Sequence, residues 1–356
     1  MTDIRAPNSP QEITTAWLNQ AISRKYPDVA VTDSEVTESI WGNSGKIRVA
    51  LRYNSAGRDL NLPSRVIVKG GYHRHGPEME YIYFNEMRFY RDIAPDLGNI
   101  VPLCLFSDRD PKNQQSLVIL EDLNLREVTW CHASRPLSYP EAADFLDAMA
   151  AYNARWWQSA EFSAGGRLDW VEDTLSGWVG DYLRAYVQPE IWNRYMAQER
   201  GAALPKVLRD CKAMERGLAV LADIHKSAPF CLLHGDEHQG NLYLQSNGTP
   251  GFLDWQVKRA PWSQGVAYFL ICGLDMLDRR HWERALLSHY LDCLASHGVR
   301  PPGFESAWLA YRREVLYAFL VWAVNDSKYQ VETVNVACTA RAAAAMLDHD
   351  TLGLLS

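Results

Sequence analysis

The sequence predicts an α+β chain in two parts, a small strand-rich N-terminal part followed by a larger, mainly helical one. Three observations predict it. Short runs with strand character dominate up to about residue 120. Apolar residues at helical spacing dominate 171–226, 277–296 and 304–347. The length, 356 residues, exceeds what one simple core usually serves. The boundary is expected near 121–124, dividing the chain into 1–121 and 122–356. No low-complexity linker lies there, so it reads as a hinge.

The elements follow in order. Ser9-Pro10-Gln11-Glu12 has the form of a capping box with proline in the first turn, which predicts a helix carrying Ile13, Trp17 and Ala21 on one face. Glu35 to Ile40 and Lys46 to Tyr53 read as strands; Ile47, Val49 and Leu51 alternate with Arg48, Ala50 and Arg52. Asn54-Ser55-Ala56-Gly57 reads as a turn and Arg65 to Lys69 as a strand closed by Gly70-Gly71. Residues 78–93 read as a helix carrying Glu86. Val101 to Phe106 and Leu117 to Leu120 read as strands, with a turn over Asp108 to Asn113. Ser138-Tyr139-Pro140-Glu141 is a second capping box, starting a helix through about Trp157. Loops and short strands interrupt the helical part at 230–260.

Bulk properties narrow the function. With 47% hydrophobic and 22% charged residues, the balance is that of a soluble globular protein. The net charge is −7 and no basic stripe is visible, which argues against nucleic acid as partner. The seven cysteines are odd in number and lack Cys-x-x-Cys spacing, so reduced thiols in the cytoplasm are expected. No apolar run is long enough to span a bilayer, and no membrane partner is expected. Oligomeric state is not readable from the sequence.

The chemistry concentrates in Leu232 to Asp254, LLHGDEHQGNLYLQSNGTPGFLD. An apolar lead-in ends in His234-Gly235-Asp236, and Asn241 lies five residues after Asp236. A strand, a glycine-bearing turn and a second strand ending in Asp254 are expected to bring Asp236, Asn241 and Asp254 to one edge. Phosphoryl transfer asks for this set. A carboxylate orients an alcohol and accepts its proton, while magnesium takes a carboxylate and an amide oxygen. Asp236 is therefore the candidate base, and Asn241 and Asp254 are the candidate metal ligands. His234 and His238, at i and i+4, do not suggest zinc, because Gly235 and Gly240 argue against a helix and no third ligand is evident. His234 reads as loop architecture; His238 is a candidate catalytic contact to phosphate or acceptor, with a structural role as the alternative.

These motifs resemble the aminoglycoside phosphotransferase and choline kinase superfamily. The pattern HGDxHxGN followed by FLDWQ is most similar to its ecdysteroid-kinase-like branch and bacterial relatives. The resemblance runs from about residue 35 to 345. It implies a bilobal protein-kinase-like fold, ATP and Mg²⁺ as cofactors, and a small-molecule alcohol as acceptor. On that resemblance Lys69 holds the α- and β-phosphates and Glu86 pairs with it. Gly42-Asn43-Ser44-Gly45 covers the phosphates, and the backbone of Glu121 and Leu123 meets the adenine. Two positions depart from the family pattern. Gly265, in Ser263 to Leu270, stands where Asp is usual, and Asn153 stands where His is usual. The acceptor is expected in the helical part, near Thr129, Trp130, His132 and the aromatic stretch Trp170 to Tyr195. Asp169, Glu172, Asp173 and Asp181 offer acid for a cationic acceptor, while an aromatic pocket would suit a steroid, a macrolide or a quaternary amine. The expected function is ATP-dependent phosphotransfer to a small-molecule hydroxyl. The alternative is a weak or inactive kinase-like protein that binds nucleotide or ligand.

Overall fold

The computed structural model describes residues 4–42, 44–72 and 77–356. The chain forms two compact units, one of Met1–Thr129 with Leu244–Gln256 and the other of Trp130–Tyr243 with Val257–Ser356. The first division thus falls beyond the expected 121/122 boundary. The return of 244–256 to the first unit could not be read from a linear division of the sequence.

The first unit opens with α1 (Thr15–Ile22) and an antiparallel pair, β1 (Val31–Trp41) and β2 (Gly45–Tyr53). A one-turn helix, α2 (Ser55–Asp59), precedes β3 (Arg65–Gly70), and α3 (Pro77–Asp92) precedes β4 (Cys104–Asp110) and β5 (Gln115–Glu121). The sheet order is β1-β2-β3-β5-β4, antiparallel throughout. Ile47, Val49 and Leu51 of β2 are buried, as their alternation requires, and join Val66, Val68, Leu117 and Ile119 in one apolar core. All seven residues of β5 are buried, because α3 packs against this strand as well.

Two local expectations are corrected here. Ser9 makes no side-chain cap; Pro10–Glu12 is a single 3-10 turn, and Glu12 accepts the Asn8 N–H instead. The helix starts at Thr15, where Thr14 Oγ1 accepts the Trp17 N–H at 3.2 Å. Thr14→Ala is therefore expected to lower unfolding free energy by about 1 kcal/mol. Ser9→Ala should change it by less than about 0.5 kcal/mol in the same urea titration. The Asn54 to Gly57 turn is the start of α2, because Asn54 Oδ1 accepts the Gly57 N–H at 3.1 Å and caps a helical turn.

The second unit begins within the short strand β6 (Val128–Trp130) and continues into α4 (Tyr139–Arg155), whose expected Ser138/Glu141 capping box is formed. Then come α5 (Trp178–Tyr186), α6 (Pro189–Met196), α7 (Glu199–Ala202) and α8 (Cys211–His225). β7 (Phe230–Leu233) leads into the His234 to Asn241 loop and then β8 (Leu242–Gln245), within which the chain passes to the first unit, to which β9 (Pro250–Phe252) belongs. β10 (Lys258–Pro261) pairs with β7, and four helices finish the chain: α9 (Trp262–Gly273), α10 (Met276–Ser296), α11 (Phe304–Ala323) and α12 (Glu332–Asp348). The expected helical stretch 304–347 is broken between α11 and α12. There Asp326 Oδ1 accepts the Lys328 N–H and Asn335 Nδ2 donates to Gln330 O, polar side chains taking backbone groups away from a helix. No helix among the described residues is long and apolar enough to cross a membrane.

Candidate functional site

In the first unit, β3 runs between β2 and β5 and presents Lys69 at its end. The Lys69 ammonium is buried and donates to Glu86 Oε1 at 2.7 Å and to Asp254 Oδ1 at 2.5 Å. Burial alone would lower its pKa, but the charges of Asp254 and Glu86 outweigh that and hold it well above the usual lysine range. Lys69 is therefore charged at neutral pH. Asp254 has φ of 58°, left-handed backbone that is uncommon for non-glycine residues though aspartate enters it more readily than most, and its neighbours constrain it there. The constraint is visible. Trp255 is fully buried, stacks on Phe89 of α3 with ring centroids 4.4 Å apart and donates to Phe252 O. Gln256 Nε2 donates to Ile82 O at 3.4 Å. Phe89 lies three residues after Glu86, so one face of α3 seats both the lysine partner and the segment carrying Asp254.

Of the phosphate-loop candidates, Gly42 has open space where a side chain would begin. A Cβ on Gly45 would lie 2.5 Å from the Tyr72 ring and 2.7 Å from the Trp41 ring. Gly45 therefore serves packing, and Ser44 beside it is buried. Asn43 lies outside the described residues. At the hinge, the Glu121 carboxylate is taken by the Leu103 N–H at 2.6 Å and by Arg126 at 2.8 Å. Asp122 binds Arg48 at 2.8 Å and also Arg65, and it caps the turn Leu123–Leu125. The Glu121 N–H is engaged as well, donating to Leu103 O at 2.9 Å.

In the second unit, β7 delivers the loop. His234 is fully buried and its Nδ1 accepts the Asp236 N–H at 3.2 Å. Gly235 has φ of 89°, which favours glycine at this turn. Asp236 is held at both oxygens: Tyr268 OH donates to Oδ1 and Asn241 Nδ2 to Oδ2, each at 3.0 Å. Asn241 Nδ2 also donates to the Asp236 carbonyl at 3.0 Å, which leaves its amide oxygen for another ligand. His238 Nδ1 accepts the Gly240 N–H, so in the neutral ring the proton sits on Nε2, 3.6 Å from Asp236 Oδ2.

The loop is braced by residues to which the sequence reading assigned no role. Tyr268 comes from α9 and stacks with Trp322. Gln239 Nε2 donates to the carbonyls of Arg135 and Gly273, and its Oε1 accepts from Arg341 of α12. Arg341 also holds the Cys272 and Ala133 carbonyls. No local motif marks an arginine about a hundred residues downstream, so only tertiary packing reveals it. Asn153, in place of the usual His, is buried and satisfied: it donates to Leu232 O at 2.6 Å and accepts from Tyr290 OH at 2.7 Å.

Glu237 is also buried, and burial is the main reason its pKa is pushed up to about 7. An acid raised this way binds its proton in the folded state while the unfolded chain has already lost it. Stability should therefore fall as pH rises from about 4.5 to about 7 and level off above that, by up to about 3 kcal/mol. Urea unfolding of wild type and Glu237→Gln between pH 5 and 8 checks this. The difference between them should carry the slope; parallel curves would remove it.

Beside the loop, a cavity of about 400 Å³ is lined by His132, Ala133, Ser134, His238 to Gly240, Gln330, Val331, Thr333, Val334, Ala337 and Cys338. No aspartate or glutamate is among the described residues that line it. Of the expected acceptor residues His132 is there, whereas Trp178 stacks on Tyr182, and Tyr182, Tyr186 and Tyr195 follow ring against ring in tilted contacts. The four expected acids each have a hydrogen-bond or ion-pair partner among nearby residues. Glu172 accepts the Trp178 N–H, Asp173 accepts from Leu175 and Ser176, Asp181 pairs with Arg184, and Asp169 accepts the Gly165 N–H.

Residues 128–258 match the model of a family described as Phosphotransferase enzyme family. No curated protein sequence matches the chain. Solved structures share its fold at low identity. The choline kinase LicA from Streptococcus pneumoniae is 13% identical, with 96% of this chain and 100% of that chain covered and a TM-score of 0.53. A Plasmodium vivax ethanolamine kinase is 11% identical, with 89% and 81% covered and a TM-score of 0.52. A candidate aminoglycoside phosphotransferase from Ralstonia eutropha is 14% identical, with 94% and 97% covered and a TM-score of 0.52. The α+β kinase-like fold and the resemblance to the aminoglycoside phosphotransferase and choline kinase superfamily, both expected from the sequence, are borne out.

Proposed function

We propose that this chain is an ATP-dependent phosphotransferase that moves the γ-phosphate to a hydroxyl of a neutral small molecule. One observation carries the reading: a buried, charged lysine held between the helix glutamate Glu86 and Asp254, the latter in constrained backbone. That is a preorganised anchor for polyphosphate, and the match over 128–258 supports the same chemistry.

In this reading Lys69 neutralises the α- and β-phosphates, and Glu86 keeps its ammonium in place. Asp236 orients the acceptor hydroxyl and takes its proton, with Tyr268 and Asn241 fixing the carboxylate. His238 presents Nε2 toward phosphate or acceptor. Magnesium suits the available donors, which are hard oxygens: the Asp254 carboxylate and the Asn241 amide oxygen. When bound it would offset phosphate charge. Gly42 and the Glu121 and Leu123 backbone would meet the nucleotide. The seven cysteines are all free, in keeping with a cytoplasmic site of action where ATP is supplied.

The cavity beside His238 supports the acceptor class. Its mixed wall of valines, alanines, threonine, serine and glutamines offers contact and hydrogen bonds, and the one carboxylate close to it is the Asp236 base itself, 3.6 Å from His238 Nε2. A polycationic acceptor buried there would lack further compensation. In an ATP-turnover panel, neutral apolar alcohols of steroid or macrolide type are expected to give kcat/KM at least ~10-fold above choline and aminoglycosides. Preferential turnover of a polycationic alcohol would overturn the acceptor class.

A further inference from the structure

Glu237 stands one residue beyond Asp236, is fully buried, and has no part in the chemistry described so far. Its Oε1 accepts the Gly235 N–H at 3.2 Å, at the turn where Gly235 takes its positive φ. The phenols of Tyr152 and Tyr290 and the Cys231 thiol lie within its electrostatic reach, and Asp236 is its charged neighbour. On the far side is Gly265, buried within α9. Glycine is the poorest helix former short of proline, so a glycine at this position calls for a reason. The reason is spatial: a Cβ on Gly265 would lie 3.1 Å from Glu237 Oε1 and 3.2 Å from Leu233 Cδ2.

We propose that Glu237 is the positioning residue of the catalytic loop, its carboxylate bracing the Gly235 turn from inside while Gly265 leaves the room it needs. The inference rests on the phosphotransferase reading only for its kinetic consequence. It also answers the departure noted at Gly265. The aspartate usual there is not simply missing: the space beside position 265 is filled by a carboxylate from the loop itself. The brace acts through backbone on Asp236, whose own carboxylate is held by Tyr268 and Asn241.

This arrangement predicts coupling between the two positions. Gly265→Asp would set a second carboxyl group against Glu237 in a buried space, where the two cannot both ionise and crowd the same room. Glu237→Ala would leave the turn unbraced. The double variant Glu237→Ala/Gly265→Asp puts one carboxylate back. The test is hydrogen exchange of backbone amides across 234–241 in the full-length protein, read together with kcat and KM for ATP. Each single variant is expected to exchange at least ~10-fold faster than wild type over the loop, and the double variant more slowly than either single one. In kinetics, the single variants should lose kcat with KM for ATP held within ~3-fold, and the double variant should recover part of kcat. If Glu237→Ala does not fold, Gly265→Asp against Glu237→Gln/Gly265→Asp carries the same comparison, the neutral amide relieving the repulsion. Additive effects on loop exchange, or wild-type exchange in Glu237→Ala, would overturn the brace. Absence of phosphotransfer by wild type would overturn the functional reading instead, and the exchange data would still decide the role of Glu237.

Discussion

Asp236→Asn is expected to lower kcat by about 10²- to 10⁴-fold while KM for ATP stays within a few-fold. The substitution removes the proton acceptor and leaves Lys69, Glu86 and Asp254 untouched. A second effect follows from the hydrogen bonds. The wild-type carboxylate accepts from Tyr268 and from Asn241. An amide has one acceptor oxygen and one donor group, so with the oxygen turned to Asn241 Nδ2 the Tyr268 hydroxyl accepts from the new NH2 and loses the acceptor for its own proton. That mismatch should cost about 1 kcal/mol of stability, visible as a lower midpoint in denaturant. The separation of the two effects is informative. Tyr268→Phe removes one hydrogen bond without touching the base. It should lower kcat far less, by about 10-fold, through looser orientation alone. If Asp236→Asn turned over as fast as wild type, the assigned base would be wrong.

The second large effect belongs to Lys69→Ala. Here binding, catalysis and stability should all suffer, because the ammonium serves two carboxylates. Removing one partner of a buried ion pair costs about 3 kcal/mol, since the remaining charge must be protonated or left unpaired. Burial and the Asp254 charge already push the Glu86 pKa up against the pull of Lys69, so in the variant, with that pull gone, the protonated form of Glu86 is favoured further. Denaturant unfolding should show the loss, and kcat/KM for ATP should fall by about 10³-fold for want of phosphate neutralisation. Lys69→Arg should not rescue fully, because a planar fork does not replace a compact ammonium between these two oxygens. A variant that kept wild-type nucleotide affinity would remove Lys69 from the phosphate site.

How much of this was legible in the sequence depends on the range of the interaction. The β2 alternation and the Ser138/Glu141 capping box are local patterns, and the structure shows both. The Ser9 cap was a local pattern that failed: its glutamate found Asn8 and the helix took Thr14 instead. Asp236, Asn241 and Asp254 stand out as candidates in the sequence because their spacing is a motif. Lys69 and Glu86 drew meaning from their order before that motif rather than from their own surroundings. What stayed hidden came from residues distant in sequence. Tyr268, Gln239 and Arg341 act through contacts made only after α9 and α12 pack. Gly265 was visible as a departure, but the carboxylate that fills its space was recognisable only from the distance to Glu237. Gly45 shows the reverse. The sequence suggested a phosphate contact, and the structure adds a packing demand from Tyr72 and Trp41.

The central claim is that the chain transfers the terminal phosphate of ATP to a small-molecule hydroxyl through Asp236. Incubation of the full-length protein with γ-labelled ATP, Mg²⁺ and a pooled set of neutral alcohols tests it most directly, with label followed into phosphate monoesters. Wild type is expected to produce a labelled monoester that Asp236→Asn does not form at a comparable rate. A protein that binds the nucleotide, as seen by thermal shift, yet leaves the label on ATP or releases it only to water with every acceptor would contradict the account.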